Sequence, residues 1–351
     1  MTTDPGAPSE RLHPLRELTL VRMREFLREP EAVFWVFLFP VVMACALGVA
    51  FRARGEEPVI VGMSPAAPAA RIAALEDGGG FLVREVARAD VERALRDGVV
   101  QVYVTDDEPP VYRFDPGRAE SRVARLAVDA ALQAAAGRRD AFVPRQDTVR
   151  AVGSRYIDWL VPGLLGMNIM GTGMWSTSFA IVTARTRKLL KRLAATPMPR
   201  TYYLASLVIS RLVYLAGEAG LLLVFAWLVF GVAVHGSLLA LAAVSVAGAL
   251  AFGGVALLTS SRARTIEGVS GLLNLVMVPM WVFSGVFFAS SNFPDAMQPF
   301  IRVLPLTALN DALRAVMNDG APLTAVWREL AVLGAWGGVS SAAALRLFRW
   351  T

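Results

Sequence analysis

The sequence has 351 residues, of which 55% are hydrophobic, and its formal net charge is +6. This apolar fraction is higher than soluble globular proteins usually have, and the apolar residues form runs long enough to cross a bilayer. The basic residues collect beside the ends of these runs instead of forming a stripe with interleaved aromatic residues. The composition therefore predicts an integral membrane protein with no nucleic-acid partner.

The cysteine and histidine content excludes several kinds of site. Cys45 is the single cysteine, so no disulfide can form within the chain. His13 and His235 are the only histidines, which excludes a Ser-His-Asp triad and a metal site built from His and Cys. The phosphate-binding motif GxxxxGK[ST] is absent, since neither Lys188 nor Lys191 follows a glycine. We therefore expect no catalytic residue, metal or cofactor on this chain, and any ATP must bind to another chain.

The N-terminal part predicts a surface helix and then a first membrane span. Residues 1–30 are assigned to a cytosolic tail and an amphipathic interfacial helix, Arg11–Glu29, whose apolar residues share one face. The first transmembrane helix is assigned to residues 31–52. Within it, Ala32–Phe51 has no charged residue and at 1.5 Å per residue reaches about 30 Å, the thickness of a hydrocarbon core. Pro40 is expected to kink this helix.

Residues 53–155 differ in composition from the rest, because short apolar runs alternate with charged residues and turn signals. The predicted elements are a strand at Val59–Met63, a helix at Ala66–Leu75, strands at Phe81–Val86 and Val99–Val104 separated by a short helix that Asp90 caps, a strand at Val111–Phe114 and a helix at Arg118–Ala136. This pattern predicts a small α/β domain between the first and second spans, and it leaves the strand order open.

Five further apolar runs complete a prediction of an α-helical polytopic membrane protein with six transmembrane helices. Residues 156–351 form the five-helix transmembrane domain, with runs at Trp159–Ala184, Leu212–Val234, Ser237–Ser261, Gly268–Ala289 and Leu330–Leu345. The last run is short and spans only if the charged residues beside it extend to the interfaces. Basic residues collect in alternate short loops, so both termini are predicted to be cytoplasmic and the α/β domain extracytoplasmic.

The loop after the second apolar run predicts a docking helix. Five Arg or Lys residues between Arg185 and Arg192 prevent this segment from spanning a membrane. Leu189, Leu190 and Leu193 share one helical face, which predicts a cytosolic amphipathic helix over residues 185–195 that docks into a partner's groove. A basic anchor on anionic membrane lipids is the alternative.

Two further features are candidate sites. Residues 291–319 contain helix-breaking prolines, including Pro294 and Pro305, together with charged residues such as Asp311 and Arg314. This mixture predicts paired short re-entrant helices in the outer leaflet, with an outer loop and a surface helix as the alternative. The second feature is Glu218, about two turns from Arg211 in the third run. A carboxylate inside a membrane marks a candidate polar site, and a structural pair with Arg211 is the alternative.

Together these segments resemble the type-2 permeases of ABC transporters, which are the membrane subunits of bacterial exporters. The resemblance covers almost the whole chain and is carried by RKLLKRLAATPMPR in the first cytosolic loop and by FSGVFFASSNFPDAMQPFIRVLPLTALNDALRAV, from Phe283 to Val316. It implies a dimer of permeases, here a homodimer, with each copy resting on a cytosolic ATPase that binds ATP and Mg²⁺. Residues 185–195 would then be the coupling helix, whose ATPase contacts would be Arg185, Lys188, Leu189, Leu190, Arg192 and Leu193.

As a bacterial exporter subunit, the chain is expected in the bacterial inner membrane. Its mostly uncharged spans predict a hydrophobic or amphipathic cargo such as a drug, a lipid or a glycolipid-like compound. Many relatives carry an acidic residue and a Gly-Thr pair before the leucine face, and Thr183–Arg187 has neither, so the ATPase contact is expected to differ. The rival hypotheses are a secondary transporter and a non-transporting protein whose outer domain is a sensor or an assembly platform.

Overall fold

The structure is a computed structural model that describes residues 14–51, 58–77, 79–139, 142, 153, 155–188 and 200–347. It divides into two compact units, one formed by Met1–Arg52 with Arg150–Thr351 and the other by Ala53–Val149. The first unit is helical. The second contains the sheet, and each unit is described by itself below.

The first unit begins with a short amphipathic helix, α1, at Pro14–Leu27. This helix falls within the predicted range Arg11–Glu29, whose first three residues lie outside the described part of the chain. The next helix, α2, spans Pro30–Ala50 and includes a π-helical turn at Phe34–Leu38. Pro40 explains this turn, because a proline has no N–H and its ring displaces the carbonyl four residues earlier.

The long helices of this unit match the later apolar runs. They are α6 at Tyr156–Thr186, α7 at Arg200–Phe230, α8 at Leu238–Ser260, α9 at Ile266–Phe283 and α12 at Trp327–Leu347. Among the described residues, five helices are long and apolar enough to cross a membrane, namely α2, the part of α7 from Val208, α8, α9 and α12. The helix α6, predicted as the second span, is not one of them, because glycines and polar residues lower its hydropathy.

Two predicted span limits were wrong at their C-terminal ends. The third run was expected to continue to Val234, but α7 ends at Phe230 because Gly231 adopts a φ of +64°. The Gly231 N–H donates to the Trp227 carbonyl at 3.0 Å, which closes the helix. The fifth run was expected to reach Ala289, but α9 ends at Phe283. Gly285 follows shortly after with a φ of +69°, a conformation that a helix cannot continue through.

The last span is longer than its charge-free core. The sixteen residues predicted at Leu330–Leu345 lie inside the 21-residue helix α12. Arg328, Glu329 and Arg346 therefore belong to the first and last turns of this helix. A helix of 21 residues is about 31 Å long, enough for a hydrocarbon core.

Between α9 and α12 the chain forms the paired short helices that the sequence predicted. Two 3-10 turns precede α10 at Gln298–Val303 and α11 at Pro305–Met317. Eleven of the thirteen residues of α11 are buried, and this helix contacts α6, α8, α9 and α12. The burial disfavours the alternative of a surface helix, whereas a position in the outer leaflet stays a prediction.

The helix α6 lies at the centre of the unit and contacts α2, α7, α8, α9 and α11. Nineteen of its 31 residues are buried, including Leu160, Leu164 and Ile169. Such enclosure explains its lack of a polar face, since neighbouring helices surround it.

The second unit is a four-stranded sheet with helices on both faces. Its strands are β1 at Val59–Met63, β2 at Phe81–Glu85, β3 at Val102–Val104 and β4 at Tyr112–Phe114, in the order β2-β1-β3-β4. The pairs β1–β2 and β1–β3 are parallel, and β3–β4 is antiparallel. Its helices are α3 at Ala69–Asp77, α4 at Val91–Arg96 and α5 at Ala119–Ala135.

The two sides of this sheet have separate cores. Val61, Met63, Val102 and Val104 pack against α3 and α5, while the Tyr103 ring on the other face packs with residues of α4. This alternation follows from the two-residue period of a strand. The strand expected to begin at Val99 begins at Val102, because the preceding residues close the turn after α4.

The long helix of the second unit is also fastened to the edge strand. The Tyr112 hydroxyl donates to Asp129 Oδ1 of α5 at 3.1 Å. Partial burial, and then this hydrogen bond, raises the pKa of the Tyr112 phenol above its ordinary value.

Candidate functional site

A buried ion pair lies on α7. The Nη2 atom of Arg211 donates to Oε1 of Glu218 at 2.7 Å, and the two side chains are 9% and 0% exposed. The seven-residue separation, close to two helical turns, places both on one face. Because two charges removed from water are tolerated only with good geometry and further hydrogen bonds, the partners of the pair on other helices matter.

Those partners are on α6. Thr172 donates from its hydroxyl to Glu218 Oε1 at 3.2 Å, and Asn168 Nδ2 lies 3.5 Å from Glu218 Oε2. On the other side of the pair, Arg211 Nη2 also donates to the backbone carbonyl of Ile169 at 3.0 Å. Both charged groups are thus held by the same two turns of α6.

The same asparagine reaches α2. Asn168 Nδ2 donates to the carbonyl oxygen of Val36 at 3.1 Å. In a regular helix this carbonyl would accept from the residue four positions on, which is Pro40 and has no N–H. The amide of Asn168 therefore satisfies a carbonyl that the proline releases.

These contacts form one buried polar network that joins α2, α6 and α7. The sequence singled out Arg211 and Glu218 but missed Asn168, Thr172 and the Val36 carbonyl. Two features of the sequence could have indicated this network. Asn168 and Thr172 are polar residues four positions apart in the second apolar run, and Pro40 interrupts the first. With its carboxylate paired and enclosed, Glu218 is suited to holding three helices together.

A second polar cluster fastens α11 to the end of α9. The guanidinium of Arg314 lies 3.5 Å above the centre of the Trp159 ring and donates to the Gly285 carbonyl. One turn earlier, Asn310 Nδ2 donates to the Ser284 carbonyl at 2.8 Å. Both carbonyls belong to the turn that ends α9, where a helix leaves such groups without partners.

Glycines on α6 make room for this cluster. A Cβ atom at Gly166 would overlap Asn310 Oδ1, and one at Gly163 would come within 2.5 Å of the Val286 carbonyl oxygen. No pattern in the sequence pairs these glycines with α11. Their spacing of three residues places them on one face, which allows α11 to approach the α6 backbone.

The four residues named in the predicted re-entrant segment, residues 291–319, lie in different settings. Pro305 is the buried first residue of α11, and Arg314 is buried on the same helix. Asp311 is half exposed, with its Oδ1 atom 3.7 Å from Arg314 Nη1. Pro294 is exposed and precedes a 3-10 turn. The structure therefore brings three of the four together on α11, while Pro294 lies in the segment before it.

The predicted ATPase contacts fall partly outside the described residues. Leu189, Leu190, Arg192 and Leu193 belong to that undescribed part, so the coupling helix over residues 185–195 stays a prediction. Lys188 is exposed just beyond the end of α6, with a φ of +53°.

Arg185 instead contacts its own chain. Its guanidinium donates to three carbonyls at the end of α8, those of Ser260 at 3.0 Å, Ser261 at 3.1 Å and Ala263 at 2.6 Å. A cation at a helix C-terminus satisfies unpaired carbonyls and complements the helix dipole, typically by about 0.3–1 kcal/mol. The sequence assigned Arg185 to a partner and did not predict this cap.

The predicted interfacial helix also packs against protein. The Tyr214 hydroxyl of α7 donates to the Arg22 carbonyl at 2.9 Å, and the Phe26 and Tyr214 rings are 4.4 Å apart. On α2, Phe37 adds an edge contact to Phe26 at 6.1 Å. Part of the apolar side of α1 therefore faces α2 and α7 instead of lipid.

Comparison with known proteins relates these helices to a family. A family model described as ABC-2 type transporter matches residues 129–318, a stretch that contains α6 to α11. The chain is also similar to nodulation protein J of Bradyrhizobium diazoefficiens, with 29% identity over 174 residues. This alignment covers 48% of the chain and 65% of the relative, so it spans less than two thirds of the relative's length.

Proposed function

The chain belongs to the ABC-2 type transporter family, and from this premise we propose that it is the membrane subunit of an ATP-driven exporter. The observation that carries the proposal is the extent of the match, which includes every helix from α6 to α11. Within this stretch lie the Arg211–Glu218 pair, the polar cluster of Arg314 and Asn310, and the Arg185 cap.

The energy source in this proposal is a separate ATPase. The sequence has no GxxxxGK[ST] motif, and the segment after α6 combines basic residues with a leucine face. In the proposed complex, two copies of the chain form a homodimer, and each docks its 185–195 segment into a cytosolic ATPase that binds ATP and Mg²⁺.

The proposed topology has six spans, with α6 as the second. The neighbours of α6 shield it, so it needs less apolar surface than a helix that faces lipid. Both termini would be cytoplasmic, since basic residues gather in the loops on their side of a bacterial inner membrane. The sheet-containing unit would then be extracytoplasmic.

The proposed cargo is hydrophobic or amphipathic, for example a drug, a lipid or a glycolipid-like molecule. The mostly uncharged helices support this class, and the α10–α11 pair is the proposed outer exit. A secondary transporter is disfavoured, because the membrane carboxylate Glu218 is paired with Arg211 at 2.7 Å and so is a poor carrier for a coupling ion.

Copurification with an ATPase tests the proposal. Tagged chain extracted from its native membrane is expected to retain a nucleotide-binding ATPase. The double change Leu189→Glu with Leu193→Glu should abolish this retention, because two carboxylates replace the proposed apolar contact. Ile266→Glu is the control, since it places the same group at an exposed apolar residue outside the 185–195 segment.

Two outcomes would count against the proposal. Retention of the ATPase after the double change would remove the coupling role of the 185–195 segment. Movement of substrate on a proton or sodium gradient, in purified vesicles without any ATPase, would remove the exporter assignment itself.

A further inference from the structure

The cytosolic halves of α6 and α8 are bonded side chain to backbone at two levels. Ser178 of α6 donates from its buried hydroxyl to the Ala256 carbonyl of α8 at 3.2 Å. Seven residues later, on the same face of α6, Arg185 donates to the carbonyls that end α8. These hydrogen bonds join the C-terminal end of α6 to the end of α8.

Arg185 is directed toward its own chain, unlike the next two basic residues, Arg187 and Lys188. The two Nη atoms of Arg185 lie 2.6–3.1 Å from backbone oxygens of its own chain. Arg187 and Lys188, by contrast, are exposed. Loss of Arg185 should thus disturb contacts within the chain, whereas loss of Arg187 removes the same charge without breaking this cap.

The opposite end of α8 is joined to α11. The backbone N–H of His235, which lies just before α8, donates to the carbonyl of Met317 at the end of α11, at 2.9 Å. Further along, a Cβ atom at Gly248 would lie 2.8 Å from Leu309, so the two helices are in close contact there. The helix α8 has 23 residues without a proline and is about 35 Å long.

From these contacts we infer that Arg185 is a positioning residue, and that α8 is the strut that carries movement of the cytosolic end of α6 to α11. Arg185 acts through the carbonyls at the end of α8. The inference rests on the proposed function, because the movement begins when a bound ATPase pulls on the segment after α6.

Spin labelling of the assembled complex tests this strut. The complex of the chain with its copurified ATPase is placed in lipid nanodiscs, in a Cys45→Ala background that frees the chain of other thiols. A nitroxide is attached through Asp319→Cys, at an exposed position just after α11. Label mobility is compared without nucleotide and after trapping with ATP and vanadate.

With Arg185 intact, trapping should change the mobility of the label. In Arg185→Ala the population showing the change should fall about tenfold, a typical size for coupling between distant sites, while the ATPase stays bound. Arg187→Ala should behave as the parent. If Arg185→Ala fails to fold, two milder variants test the same coupling. Arg185→Lys keeps the charge and a donor, and Ser178→Ala removes the other bond between α6 and α8. Each should give a change in label mobility between those of the parent and of full uncoupling.

Three results would overturn the inference. These are a label that does not respond in the parent complex, a full response in Arg185→Ala, and loss of the ATPase from Arg185→Ala but not from Arg187→Ala. The last result would make Arg185 a docking residue. A parent chain that retains no ATPase would instead refute the proposed function, and the inference with it, so the two failures are distinguishable.

Discussion

The helices α6 and α12 are both long enough to cross a membrane, yet protein encloses them to different extents. In α6, nineteen of 31 residues are buried, whereas in α12 only three of 21 are. The enclosed helix, α6, carries glycines and polar residues that other helices contact. Because lipid tails are as apolar as leucine, an enclosed membrane helix is stabilised by close packing and hydrogen bonds, while an exposed one needs apolar surface.

The largest loss of folding stability is expected in the polar network that joins α7 to α6. Glu218→Gln would leave the Arg211 charge buried without its counter-ion, and such a change costs about 3–5 kcal/mol. Glu267→Gln is the matched control, since that carboxylate is exposed in the first turn of α9. Unfolding in mixed micelles, followed by circular dichroism, would measure both. A changed substrate profile at normal stability would instead make Glu218 functional.

A smaller effect is expected at the glycines. Gly166→Ala would press a methyl group into Asn310 and should cost up to about 3 kcal/mol, as overpacking does. On α12, Gly334 has no atom within 4 Å of an added Cβ, so Gly334→Ala should leave stability unchanged or slightly higher. The same unfolding measurement compares the two variants. Equal changes in the free energy of unfolding would mean that α6 and α12 are packed equally closely at these glycines.

The smallest effect is expected for leucine truncation. Leu164 is fully buried, and Leu164→Ala should cost about 2 kcal/mol through the cavity it leaves, at the low end because lipid competes for apolar groups. Leu345 is 70% exposed, so Leu345→Ala should have little effect on unfolding. A larger cost at Leu345 would mean that another protein surface covers α12.

Local patterns predicted much of the fold. The strand Val59–Met63 was predicted to the residue, and α5 and α6 were placed within three residues at each end. These elements follow from apolar period and flanking turn residues, which are properties of neighbouring positions. The order of the strands and the end of α9 before Gly285 depend on contacts and backbone angles that no periodicity encodes.

In the candidate sites too, contacts between residues close in sequence were predicted and contacts between distant residues were missed. Glu218 and Arg211 were predicted as a pair because they lie on one helix, close in sequence. Asn168 was missed because its partner, the Val36 carbonyl, is 132 residues away and is available only through Pro40. Arg185 was assigned to a partner chain because its sequence neighbourhood is basic, yet its carbonyl partners lie more than seventy residues further along.

Native mass spectrometry of the chain extracted gently from its membrane tests the central proposal most directly. We expect a complex of two copies of the chain with two copies of a nucleotide-binding ATPase, which loses the ATPase when Leu189 and Leu193 become glutamates. A complex that transports substrate but contains no ATPase would contradict it.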